Sequence, residues 1–117
     1  MIDGSCHCGA ARFQAASAPE EVTDCNCSIC RRYGALWAYY RGSSVTLADA
    51  GATEAYIPGE QNEFHRCRTC GCVTYWVLRD GSNARVGVNA RLFDPAVLTD
   101  VRVCHLDGAD TWAETYD

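Results

Sequence analysis

The stretch CRTCGCVTYWVL, Cys67 to Leu78, joins two unlike signals end to end. Its first half is a C-x-x-C pair followed by Gly71. Such a turn brings two thiols together, and the glycine tolerates the positive φ common after a thiol knuckle. Its second half, Val73 to Leu78, is rich in the β-branched and aromatic residues that suit a pleated, half-buried surface. A thiol knuckle feeding directly into a strand predicts a β domain built around cysteine centres.

Working outward, the same composition marks further short strands at Ala11 to Ala15, Leu36 to Arg41, Val45 to Leu47, Glu54 to Ile57 and Ala84 to Val88. Gly42-Ser43-Ser44, Pro58-Gly59 and Asp80-Gly81-Ser82-Asn83 punctuate them. Asp80-Gly81 reads as the corner of a hairpin with a connection longer than two residues. Helix is scarce. One turn is expected across Ser28 to Gly34, and another across Asp94 to Leu98, where Asp94 can cap and Pro95 suits the first helical position. The fold class is therefore mainly β, of short and mostly antiparallel strands with little helix.

The 117 residues fit one domain, 1–117, and 48% are hydrophobic, enough for a core. The beginning, MIDGSCHCG, shows neither a charged region nor an apolar one, so a signal peptide is not expected and the cytoplasm is the expected location. No apolar run is long enough to cross a membrane. Net charge is −5, and the ten basic residues form no basic run, which argues against nucleic acid as a partner.

Nine cysteines are the departure from ordinary composition. Their odd number and their clustering oppose a disulfide framework, and a bridge between Cys6 and Cys8 would close a strained ring. Metal ligation is the better reading. Cys6 and Cys8, taken as extended backbone, point to one face. With Cys67 and Cys70 they supply four thiolates, the complement of a closed tetrahedral zinc site. The middle segment, Asp24-Cys25-Asn26-Cys27-Ser28-Ile29-Cys30-Arg31-Arg32-Tyr33-Gly34, offers three. Catalytic zinc commonly has three protein ligands and leaves the fourth position to water or substrate. Two rivals stand beside that reading. Cys27 and Cys30 could be a redox C-x-x-C, although the βαβ context of such motifs is missing. A fourth ligand from Cys72, Cys104 or a histidine could close the second site. Cys72 could also exchange into the first, though packing is the expected role of Cys72 and Cys104.

Gly4-Ser5-Cys6-His7-Cys8-Gly9, Cys25-x-Cys27-Ser28-x-Cys30-Arg31-x-x-Gly34 and Cys67-x-x-Cys70-Gly71 together resemble the glutathione-dependent formaldehyde-activating enzyme family, which includes the centromere protein V domain. Val103-Cys104-His105-Leu106 resembles that family's closing strand. The resemblance implies an Mss4-like, zinc-containing β fold. It implies that Cys6, Cys8, Cys67 and Cys70 bind structural zinc and that Cys25, Cys27 and Cys30 bind catalytic zinc. It implies a carbon–sulfur lyase acting on a thiol or thiol adduct, with glutathione as co-substrate and formaldehyde as carbonyl. Arg31 and Arg32 could then meet a glutathione carboxylate, and Trp37, Tyr39 and Trp76 could wall a pocket. The alternative is a zinc-stabilised interaction module without catalysis.

Overall fold

A computed structural model describes residues 1–48 and 51–117. In chain order the strands are β1 (Ile2–Ser5), β2 (Arg12–Ala15), β3 (Glu21–Cys25) and, after the one-turn helix α1 (Cys30–Tyr33), β4 (Trp37–Tyr40). There follow β5 (Val45–Leu47), β6 (Thr53–Tyr56), β7 (Asn62–Cys67), β8 (Val73–Leu78), β9 (Val86–Asn89), β10 (Arg102–Leu106) and β11 (Glu114–Tyr116). They form a three-stranded sheet, β1-β2-β5, and an eight-stranded sheet, β11-β10-β3-β4-β9-β8-β7-β6.

The alternation in β2 explains how the sheets meet. Phe13 and Ala15 are buried while Arg12 and Gln14 face solvent. Phe13 packs edge-on against Phe93 and joins Val22, Ala38, Tyr75 and Val88 in the main core. Gly4 lies opposite Phe13 in the β1–β2 pair, and a Cβ there would come within 2.4 Å of the ring, so a side chain at that position would displace the Phe. Strand β9 is buried along its whole length, as its place between β4 and β8 requires. Each fully buried valine contributes roughly 1.5–3 kcal/mol of apolar burial.

Six of the strands fall where composition places them, with Val73–Leu78 and Val45–Leu47 matching end to end. The connection after Leu78 is a hairpin loop with Gly81 at φ +77° and the Asp80 side chain accepting from Ser82 N at 2.7 Å. Asp94 caps as expected, accepting from Ala96 N at 2.9 Å, but the turn it starts (Pro95–Leu98) is a 3₁₀ helix. Strands β1, β3, β7 and β11 escape a reading by composition, since IDGS, EVTDC, NEFHRC and ETY are polar, and their neighbours make them strands. One pair is parallel: β10 runs alongside β3 and sets Leu106 opposite Cys25. That pairing carries the C-terminal segment to the middle cysteine cluster. Among the described residues no helix is long and apolar enough to cross a membrane.

Candidate metal centres

Strand β1 ends at Ser5 and the chain turns at once. Gly9 N donates to Cys6 O at 3.1 Å, and Cys6 N donates to Ala11 O at 3.0 Å. Cys6 and Cys8 thus sit on a tight turn, which corrects the extended geometry expected from their spacing. The turn still aims both sulfurs to one side, with Cys6 Sγ 3.6 Å from Cys8 Sγ. The second half of the cluster is the knuckle between β7 and β8. Gly71 N donates to Cys67 O at 3.0 Å, and Gly71 has φ +82°, the conformation its type permits.

Cys8 Sγ lies 3.5 Å from Cys67 Sγ, and the sulfurs of Cys6, Cys8, Cys67 and Cys70 are all within 4.8 Å of one another. Thiolates around a tetrahedral zinc ion with bonds of about 2.3 Å stand roughly 3.8 Å apart. The four sulfurs fit such an ion. Ala11 N donates to Cys6 Sγ at 3.3 Å and Thr69 N to Cys67 Sγ at 3.4 Å, and the N–H groups of Cys70 and Thr69 hold the Cys67 thiol below its ordinary range. The N–H groups of Cys72 and Cys8 hold the Cys70 thiol down to about 5. Cys72 packs against this cluster but stands outside the mutually close four.

The middle cluster is built across the end of β3. Cys25 is the last residue of the strand, Cys27 lies on the bend beyond it, and Cys30 opens α1. Gly34, at φ +66°, closes that helix by donating to Cys30 O at 3.0 Å. The three sulfurs lie within 4.8 Å of one another, and among the described residues no fourth His, Cys, Asp or Glu joins them. Cys25 and Cys30 are buried and Cys27 is half-buried. Burial pushes the Cys30 thiol up. Burial also acts on Cys27, but the N–H of Cys30, 3.4 Å from its sulfur, and the neighbouring thiols hold it below the ordinary thiol range. The Trp37 indole donates to Cys30 Sγ at 3.3 Å. Trp37 is therefore a buried donor to the cluster rather than the pocket wall that the sequence offered as one of its roles.

Two features of this cluster have no signal in the sequence. Asn26, between two of the cysteines, grips the turn after β10: its Nδ2 donates to Asp107 Oδ1 at 3.0 Å and its Oδ1 accepts from Ala109 N at 3.0 Å. Gly108, on that turn, faces the sulfurs so closely that a Cβ would come 2.7 Å from Cys25 Sγ. Nothing local links residue 26 to residue 107; the parallel β3–β10 pairing does.

A cavity of about 600 Å³ is lined by Tyr39, Trp76, Arg85, Leu106, Trp112 and Glu114 among others, and by none of the cluster's three cysteines. Tyr39, Trp76 and Leu106 also pack in the apolar group that contains Cys25 and Cys30. Arg31 and Arg32 are exposed on α1 and do not line this cavity; Arg32 Nη1 donates to Ser28 O at 2.7 Å. The histidines are engaged elsewhere. His65 bonds Thr53 Oγ1 at 3.0 Å and stacks on Tyr75, His105 contacts Asp24 and Asp117, and His7 is exposed.

Fold and sites together define a class: mainly β domains with two thiol clusters able to hold metal, one of four sulfurs and one of three. The family model for glutathione-dependent formaldehyde-activating enzymes matches residues 1–106, and the chain belongs to that family. A Halomonas elongata protein named "Putative glutathione-dependent formaldehyde-activating enzyme" is 36% identical over 81 residues, 57% of this chain and 52% of that protein. The chain thus spans about half the length of this curated relative. The crystal structure of a Rhodobacter sphaeroides protein is similar with a TM-score of 0.71 at 30% identity, covering 87% of this chain and 99% of that one.

Proposed function

We propose that this chain is a zinc-dependent enzyme of the carbon–sulfur lyase type, joining a thiol to a carbonyl compound and releasing it again. Glutathione and formaldehyde are the pair that the family's name points to. In this reading Cys6, Cys8, Cys67 and Cys70 hold a structural ion, while Cys25, Cys27 and Cys30 hold a second ion that is lost more easily. What supports it is the triad itself: three sulfurs mutually within 4.8 Å and, among the described residues, no fourth protein donor.

A zinc ion at the triad would supply the charge that keeps an incoming thiol ionised near neutral pH, because a coordinating thiol loses its proton. The rest falls to the chain. Trp37 and the N–H of Cys30 donate to the cluster sulfurs and so keep their negative charge in place. Gly108 and the turn fixed by Asn26 cover Cys25 and restrict water there. The cavity walls formed by Tyr39 and Trp76 hold the body of the substrate beside the sulfurs. In the forward reaction the thiol sulfur bonds to the carbonyl carbon, the π pair of C=O moves to oxygen, and the thiol's proton ends on that oxygen. The product is a hydroxymethyl thioether, and the reverse path restores thiol and aldehyde. Neither direction needs an oxidant. Free thiols and thiolate-bound metal suit a reducing compartment, so we place the protein in the cytoplasm.

The test is exchange between ¹³C-formaldehyde, glutathione and S-hydroxymethylglutathione, followed by NMR with and without the zinc-loaded protein. The enzyme reading requires exchange faster than the spontaneous rate and lost in Cys27→Ala. A chain in which both clusters only staple the fold for binding another protein would leave the rate unchanged.

A further inference from the structure

We propose that Arg85 is the specificity-determining residue of the cavity that shares Tyr39, Trp76 and Leu106 with the apolar group around the three-thiol cluster, and that the thiol it selects carries a carboxylate at the end remote from sulfur. The inference rests on the thiol-adduct reading above and adds the residue that reads the carboxylate of a glutathione-type thiol.

Arg85 lies just before β9, and its guanidinium carbon sits 4.0 Å from the centre of the Tyr39 ring. The ring's negative face favours a cation there, and stacking fixes the plane of the guanidinium. Tyr39 in turn packs against Trp76, with ring centres 5.9 Å apart and planes tilted by 58°, so one wall of the cavity is a continuous Arg–Tyr–Trp surface. Arg85 is exposed and, like several other arginines, has no carboxylate within ion-pair distance among the described residues, whereas Arg66, Arg68 and Arg102 do. A guanidinium held in place without a counter-charge, on the wall of a cavity, is a ready partner for a ligand's carboxylate.

The remaining charges of the cavity give the ligand a direction. Glu21 and Glu114 also line it, contributed by β3 and β11 on the far side of β4 in the sheet order. Glu21 is bonded to Arg102 at 2.8 Å, which answers its charge, whereas Glu114 meets the hydroxyl of Tyr116. A carboxylate entering the cavity is repelled at Glu114 and bound at Arg85. Its sulfur is then left to reach toward the cluster, where Trp112 and Leu106 complete the wall. A volume of about 600 Å³ admits a peptide-sized thiol, so size alone excludes few candidates and charge carries the selection.

The experiment measures binding to the zinc-loaded protein by tryptophan fluorescence, since Trp76 and Trp112 line the cavity. The probes are 3-mercaptopropionate, 2-mercaptoethanol, cysteamine, glutathione and S-methylglutathione, whose sulfur is blocked. Wild type should bind the carboxylate-bearing thiols at least roughly tenfold more tightly than the neutral one, the effect of one hydrogen-bonded charge pair. Arg85→Gln should erase that preference while leaving 2-mercaptoethanol binding unchanged, and Arg85→Lys should restore part of it. Arg12→Gln, an exposed arginine on the three-stranded sheet, should behave as wild type. S-methylglutathione should lose affinity in Arg85→Gln as glutathione does. If thiols bind wild type and Arg85→Gln keeps the carboxylate preference, the assignment of Arg85 is overturned while the thiol reading stands. If S-methylglutathione binds through Arg85 but free thiols gain nothing from zinc, the cavity assignment stands and the thiol-adduct reading falls.

Discussion

The indole N–H of Trp37 meets Cys30 Sγ at 3.3 Å, reaching from β4 into the three-thiol cluster inside the apolar group around it. A hydrogen bond to an ionised acceptor in a buried setting stabilises charge that burial opposes. The bond therefore offsets part of the cost of keeping Cys30 as a thiolate.

Replacing Trp37 with Phe keeps most of the ring and removes the donor. We expect metal affinity at the three-thiol cluster to fall by roughly five- to tenfold, equivalent to about 1–1.4 kcal/mol, with the four-thiol cluster unaffected. Competition against a chromophoric chelator measures it, and equal affinities would show that the contact is only packing.

Gly108→Ala is expected to strip the three-thiol cluster selectively. The added Cβ would lie 2.7 Å from Cys25 Sγ, closer than atoms pack, and 3.2 Å from Cys27 Cβ, a tight contact. The turn is held by both ends of the Asn26 amide, so it has little room to retreat. Metal analysis should find one firmly held ion per chain against the two proposed for the parent, with the thermal midpoint little changed.

Cys67→Ala and Cys27→Ala should separate the two clusters by stability. Cys67 is buried in the group that ties the turn after β1 to the β7–β8 knuckle. In the proposed reading its loss removes a ligand from a structural ion, and we expect a destabilisation above about 4 kcal/mol in denaturant unfolding. Cys27 is half-buried on a bend, and its loss should cost less than about 2 kcal/mol. Similar costs for the two would contradict the division of roles.

The C-terminal strand should loosen as pH rises past neutrality. Asp117, 2.8 Å from His105 Nε2, and then Asp24 raise the His105 pKa above its ordinary value near 6.5. A group whose pKa is raised on folding contributes stability that is complete below the unfolded value and lost as pH climbs through the folded one. The pair is exposed and screened, so the effect is local to β10–β11. Imidazole titration by NMR should place His105 above 6.5, and Asp117→Asn should lower it. Amide protection in β11, corrected for intrinsic exchange, should decrease as pH climbs above the ordinary imidazole value of 6.5.

How far these residues are readable from sequence follows from how local their causes are. The Cys67–Gly71 knuckle and VTYWVL announce themselves because turn geometry and strand composition are properties of neighbours in the chain. The cysteine pairs and the triplet are legible for the same reason, since they are short-range patterns. The joining of Cys6 and Cys8 to Cys67 and Cys70 is a contact across the fold, which the sequence offers only through a count of four thiols and the family resemblance. The shape of the Cys6–Cys8 turn is not, because a single residue between two ligands fits a turn and a strand equally well. Asn26, Gly108 and Arg85 stay hidden because their significance comes from the parallel β3–β10 pairing and from the stacking of Arg85 on Tyr39. Those are contacts across the sheet, and an isolated Asn, Gly or Arg carries no mark of them.

Cadmium-113 NMR of the metal-exchanged protein tests the central claim most directly. Two resonances are predicted, one in the range of four-sulfur centres and one from the three-thiol cluster. Titration with glutathione should move the second alone toward the four-sulfur position. A single resonance, or a three-thiol signal that no thiol can shift, would contradict a cluster with room for a substrate sulfur.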